Sequence, residues 1–120
     1  MNRITAFFLA MAIAPMAAAQ ERALNLETTV KATPAQAFAA WSTTEGIKTF
    51  FAPSGNIEPK PNGLYEIHMN PFAPPGEKGA DDMRILAIQE NKMLTFTWNA
   101  PPYFPEARKQ RTLVIVRFSP

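Results

Sequence analysis

The 120-residue chain has no cysteine. Disulfide staples, thiolate metal clusters, cysteine nucleophiles and lipid attachment at cysteine are therefore excluded. Histidine occurs once, at His68. Zinc sites normally assemble several His or Cys ligands, so the sequence alone predicts no metal site and no cofactor. The five glycines are scattered singly, so no phosphate-cradling loop is present. Charged residues make up 18% and the formal net charge is +2, which lacks the basic excess of a nucleic-acid binder. The short basic run at 108–111 (RKQR) reads as the solvated start of a strand. Asp81 and Asp82 adjoin, but no third carboxylate follows at ligand spacing, so they read as a solvated turn. His68 next to Glu66 on an alternating stretch reads as a polar sheet position, and no catalytic residue is assigned.

What the chain does have is 47% hydrophobic residues and thirteen aromatics, nine of them Phe. That composition suits one small globular domain. The first nineteen residues stand apart. Arg3 supplies a positive start, residues 4–16 are apolar, and Ala17, Ala18 and Ala19 precede Gln20 in the manner of a cleavage site. About thirteen apolar residues, interrupted by Pro15, are too few to span a bilayer. We read residues 1–19 as a secretory signal peptide and residues 20–120 as the domain. The protein is then exported, periplasmic or secreted, with no stable membrane anchor after cleavage. Eleven basic and ten acidic residues remain, leaving the mature chain near neutral.

Residues 24–30 (LNLETTV) alternate apolar and polar and are expected to form a first strand. Thr33, Pro34 and Gln36 make a capping box, starting a helix that runs to about Ser42. Thr43, Thr44 and Glu45 offer a second cap, so a short second helix carries Ile47, Phe50 and Phe51. Strands are then expected at 56–59, 64–70, 83–89, 94–99 and 112–118. Turns fall at Pro61-Asn62-Gly63 and Glu90-Asn91-Lys92. Proline-rich loops cover 71–82 and 100–110. Alternation puts Leu94, Phe96 and Trp98 on one face and Thr95, Thr97 and Asn99 toward water. The order is that of an α+β domain with an antiparallel meander.

The stretch from Val30 to Phe51, V-x-A-x-P-A-x-x-F-x-A-W-x-T-x-E-G-I-x-x-F-F, resembles the start of a START-like (SRPBCC) domain. More narrowly, it resembles the branch related to the C-terminal domain of the heat-shock-protein-90 ATPase activator. The stretch 61–67 (PNGLYEI), the pair 85–88 (ILAI) and 93–98 (MLTFTW), and residues 112–118 are similar to that branch's strands. The resemblance implies a helix-grip fold, in which a curved antiparallel sheet wraps a long C-terminal helix around an apolar cavity. Two short helices follow its first strand. This sequence ends at Pro120, before the further strand and long helix that the resemblance implies.

Geometry points to the same gap. Six strands at ~4.8 Å make a sheet ~29 Å wide. One helix covers a strip of about 10–12 Å. Two short helices cannot cover a face that presents Leu94, Phe96, Trp98, Val114, Val116 and Phe118, each worth roughly 1.5–3 kcal/mol when buried. The expectation is a domain truncated at its C-terminal end, or one whose sheet face is covered by a partner chain.

The aromatics form the one constellation with functional promise. Trp41, Phe50, Phe51, Tyr65, Met69, Phe96 and Trp98 are expected to line a pocket, with Phe72, Tyr103 and Phe104 at its mouth. Core packing is the plainer reading of Phe38, Trp41, Phe96 and Trp98. The function expected is binding of a small apolar molecule without catalysis. Alternatives are a protein-interaction module, as the narrower resemblance implies, and a cyclase- or aromatase-like enzyme. The signal argues against the chaperone partner, which is cytosolic. The lone His68 argues against the enzyme.

Overall fold

The computed structural model describes residues 22–120. The expected signal peptide lies outside them. Thr33 begins the first regular element. Its hydroxyl accepts from the Gln36 amide at 3.1 Å, and Gln36 Oε1 accepts from the Thr33 amide at 2.9 Å. This capping box, with Pro34 at the first helical position, starts α1 (Pro34–Ser42). Thr43 then turns the chain. Its Oγ1 donates to the Ala39 carbonyl at 2.7 Å and accepts from the Gly46 amide at 2.9 Å. One side chain thus closes α1 and caps α2 (Thr44–Lys48). Gly46 lies so close to the Ala39 and Ala40 backbone that no Cβ fits there.

Among the described residues, the strands form two antiparallel three-stranded sheets. In the first, β1 (Ser54–Ile57) pairs with β2 (Tyr65–His68), which pairs with the two-residue β3 (Gly79–Ala80). In the second, β4 (Ile85–Gln89) pairs with β5 (Met93–Trp98). After a single helical turn, α3 (Pro105–Arg108), β6 (Thr112–Arg117) pairs with β5 along its whole length, from Met93↔Arg117 to Trp98↔Thr112. An isolated bridge, Leu64↔Arg84, and a 2.7 Å bond from the Tyr65 amide to the Met83 carbonyl join the two sheets. Asn62 and Asn91 take left-handed backbone at the two expected turns (φ 60° each), a conformation asparagine tolerates.

Parity decides the core. Tyr65 and Ile67 of β2 and Leu94 and Phe96 of β5 point inward with Ile47, Ile57, Met83 and Ile85, and all are buried. Trp41, Phe51, Trp98, Val114, Val116 and Phe118 pack against them half-covered. Leu94 and Phe96 are thus covered, while Trp98, Val114, Val116 and Phe118 stay partly wet.

Several sequence expectations need correction. Residues 24–30 form no strand: Leu24 and Leu26 are more than 90% exposed. Alternation supplies a face but not a partner, and no described strand pairs with this segment. Thr95, expected toward water, is buried. It is on the central strand, flanked across the ladder by Ala87 and Ile115, which screen it. The loops at 71–82 and 100–110 contain β3 and α3, both too short for periodicity to register. One six-stranded sheet is instead two sheets joined by a bridge. The antiparallel α+β class itself stands.

Candidate functional site

Trp41 is at the centre of the aromatic cluster. It lies on the last turn of α1, three residues after Phe38, so both share a face. The chain leaving α2 brings Phe50 and Phe51 back against it. Ring centroids lie 5.2 Å (Trp41–Phe50), 5.8 Å (Trp41–Phe51) and 6.4 Å (Trp41–Phe96) apart. Phe51 continues to Trp98 at 5.8 Å, and Phe38 meets Phe118 edge-on at 5.7 Å. The geometry is that of aromatic pairs in protein cores.

The cluster has a closed floor and an open upper surface. Tyr65 and Phe96 stack at 4.1 Å and are sealed beneath the others. Burial pushes the Tyr65 phenol well above its ordinary pKa. Its Oη donates to the Trp41 carbonyl at 2.7 Å. These two residues, expected to line a pocket, are packed by the chain's own side chains and present nothing to a ligand. Trp41, Phe51 and Trp98 remain half-buried, and Phe50 is 51% exposed.

Trp98 also borders a recess of about 420 Å³. The recess is lined by Asn99, Ala100, Pro101, Ala107, Gln110 and Thr112 as well, between the ends of β5 and β6 and α3. Asn99 holds its Oδ1 buried with no hydrogen-bond donor among the described residues. None of these neighbours stood out in the sequence, because the recess is made by α3 folding back over the strand ends. The loop aromatics lie on the surface: Phe72 is 95% exposed, Tyr103 and Phe104 lean on each other with tilted rings 4.7 Å apart and are each more than half exposed, and Met69 is half-exposed.

Arg108 organises the loops. It donates to the Ala100 carbonyl (2.7 Å), the Gly76 carbonyl (2.7 Å) and Asp81 Oδ2 (2.9 Å), with its side chain 14% exposed. The basic run is therefore not uniformly solvated: Arg108 ties the two proline-rich loops together, while Lys109 pairs with Glu106 and Arg111 with Asp82. Asp82 also holds Arg84 at 2.8 Å. The hydrogen bond from Arg84, with that from Arg111, keeps its carboxyl below the usual range. On the opposite face of β2 from Tyr65, Glu66 and His68 meet Asp81, giving three metal-capable side chains with ligand atoms within 4.8 Å of one another.

An antiparallel α+β domain with a helix pair packed on its strands is consistent with a START-like fold. The family model described as "Activator of Hsp90 ATPase homolog 1-like protein" matches residues 31–120. The chain belongs to that family, within the START-like (SRPBCC) superfamily. Comparison with curated proteins gives no match, and comparison with solved structures gives none either.

Proposed function

We propose that this is an exported START-like domain that binds a small, mainly apolar molecule and performs no catalysis. The observation that carries the reading is the recess of about 420 Å³ beside Trp98. Its volume lies toward the low end of small-molecule sites, and it is largely open to solvent, so it would take one side of a ligand. Ala100, Pro101 and Ala107 supply apolar walls, Trp98 supplies an aromatic face, and Asn99 offers an unmet acceptor to a ligand N–H or O–H. The half-open rings of Trp41, Phe50 and Phe51 continue the apolar surface beyond it through Trp98. Curvature of the strands into a helix-grip shell, with Phe72, Tyr103 and Phe104 closing over the ligand, belongs to the same proposal. Domains of this family are generally non-catalytic binding domains, which supports the absence of chemistry. Export rests on the leader-like pattern of residues 1–19.

The test uses purified protein without its leader. Native mass spectrometry and intrinsic tryptophan fluorescence with apolar probes should show a co-purified molecule or saturable quenching. Trp98→Ala should weaken probe binding at least tenfold while circular dichroism stays native. Fluorescence indifferent to every apolar probe, with no co-purified molecule, defeats the reading.

A second reading, a protein-interaction module, is favoured by β6. It is an edge strand, and Leu113 and Ile115 on its outer face are about half exposed. Such an edge can accept an added strand from a partner chain. The family's printed name points toward a chaperone partner. Saturable pull-down of a folded protein that is lost on Ile115→Lys would favour this reading over the first.

A further inference from the structure

Glu66, His68 and Asp81 belong to neither the aromatic cluster nor the Trp98 recess. Strand parity sends Tyr65 and Ile67 into the core and Glu66 and His68 to the opposite face. The ladder places the small Ser54 across from His68 on the β1 side and Gly79 across from it on the β3 side, where no side chain opposes the imidazole. Two residues later Asp81 turns back toward it. A third ligand, beside the Glu66–His68 pair of β2, is thus supplied by the chain that follows the cross-strand pairing.

We propose that Glu66, His68 and Asp81 form a binding site for one divalent transition-metal ion of the zinc class. Three observations carry this. First, each side chain can offer one ligand atom, and these atoms lie within 4.8 Å of one another. The His68 Nε2–Glu66 Oε1 separation is 3.9 Å. Ligands at about 2.0–2.2 Å around a tetrahedral zinc lie roughly 3.3 Å apart, so the His68–Glu66 pair needs to close by about half an ångström and the widest pair by no more than about 1.5 Å.

Second, the carboxylates are held from behind. The Asp82 amide donates to Glu66 Oε2 at 2.9 Å, which leaves Oε1 toward His68. The Gly79 amide (3.0 Å) and Arg108 (2.9 Å) both donate to Asp81 Oδ2, and Oδ1 has no donor among the described residues. One oxygen of each acid is anchored and the other is available, which is how outer-shell donors orient metal ligands.

Third, the three side chains are largely shielded, at 20%, 14% and 13% exposed for Glu66, His68 and Asp81. Two acids against one guanidinium leave a net negative charge in a half-dry setting, which favours a cation. One imidazole nitrogen with two carboxylate oxygens suits zinc and its first-row neighbours, whereas calcium and magnesium prefer all-oxygen sets. Arg108 beside Asp81 opposes the ion's charge, so micromolar rather than nanomolar affinity is expected.

The test is calorimetric titration of zinc chloride into the untagged chain after chelator dialysis, alongside calcium and magnesium. The expected result is one zinc per chain, little response to calcium or magnesium, and a zinc-dependent rise in Tm. Glu66→Gln, His68→Ala and Asp81→Asn should each weaken zinc binding at least tenfold and abolish the Tm rise. Because Asp81→Asn also loosens Arg108, Glu66→Gln with native circular dichroism is the deciding variant. Trp98→Ala, which probes the apolar recess, should leave zinc binding unchanged, so the two proposals fail separately. Absence of saturable zinc binding to wild type, or full retention of it in both His68→Ala and Glu66→Gln, overturns the assignment.

Discussion

Tyr65 Oη hydrogen-bonds to the backbone carbonyl of Trp41, twenty-four residues earlier, at 2.7 Å. The contact joins β2 to the last turn of α1. It answers two needs at once: a carbonyl near the helix C-terminus acquires a donor, and a buried phenol acquires an acceptor. The aromatic cluster is therefore pinned at its centre by a polar bond.

Tyr65→Phe should cost about 1–3 kcal/mol, because it strands the Trp41 carbonyl without changing the stacking on Phe96. Urea denaturation followed by tryptophan fluorescence measures this. A change below a few tenths would show that water replaces the phenol.

The same phenol should make the wild type sensitive to alkali. Its folded pKa is raised by burial above the ordinary 10.0. The stabilisation it brings is fully present below pH 10 and is lost progressively as pH rises beyond it, because only the unfolded chain ionises there. The slope is about 1.4 kcal/mol per pH unit for one proton. Tyr65→Phe should flatten that decline. Parallel unfolding curves for the two proteins from pH 9 to 11 would contradict it.

Gly46→Ala should destabilise by upwards of about 2 kcal/mol, although alanine is the better helix former by roughly 1 kcal/mol. A Cβ at this position meets the backbone of Ala39 and Ala40, which cannot move aside as a side chain could. The helix pair would have to separate, pulling Phe50 and Phe51 from Trp41. Thermal melts and near-ultraviolet circular dichroism report both effects.

Arg108→Ala should open the two proline-rich loops. The Ala100 and Gly76 carbonyls lose the Arg108 donor together, and Asp81 keeps only the Gly79 amide. Limited proteolysis should show faster cleavage within 71–80 and 99–107 than in wild type. Lys109→Ala, whose partner Glu106 is exposed on the same short helix, should change neither.

Asp82 carries a positive φ of 56° and pairs with Arg84 and Arg111 at the surface. Asp82→Asn keeps a residue that tolerates this backbone, so only exposed ion pairs are lost, worth about 0.2–1 kcal/mol. Asp82→Val should cost more, since a branched side chain resists left-handed backbone. Its depressed pKa contributes stability above the ordinary 3.8 that fades as pH falls through the lower folded value. Equal stability of the Asn and Val variants would remove the backbone argument.

Much of the fold was legible locally. The capping box at Thr33, the break at Thr43, the turns at Asn62 and Asn91 and the β4–β5 hairpin all follow from residues within a few positions of one another, whereas β6 pairs with residues of β5 that lie 14 to 24 positions back. The candidate site was less legible. Tyr65 and Phe96 looked like ligand-lining aromatics but are buried, while the Trp98 recess owes its walls to Ala100, Ala107 and Thr112, residues without chemical prominence. Arg108 looked like one charge in a solvated run, yet its three partners lie 8 to 32 positions away.

The sequence by itself determined the start and stop of α1, the alternation that makes β2, β5 and β6 two-faced, and the wealth of aromatics that must meet somewhere. Short-range sterics and hydrogen bonds act over three or four residues and need no knowledge of the rest of the chain. Only the tertiary structure decided which ring went under which, that residues 24–30 pair with no described strand, and that Asp81 stands beside His68. Those outcomes depend on strand register and loop packing, where groups far apart in the chain compete for one another's faces, and no local pattern encodes the winner.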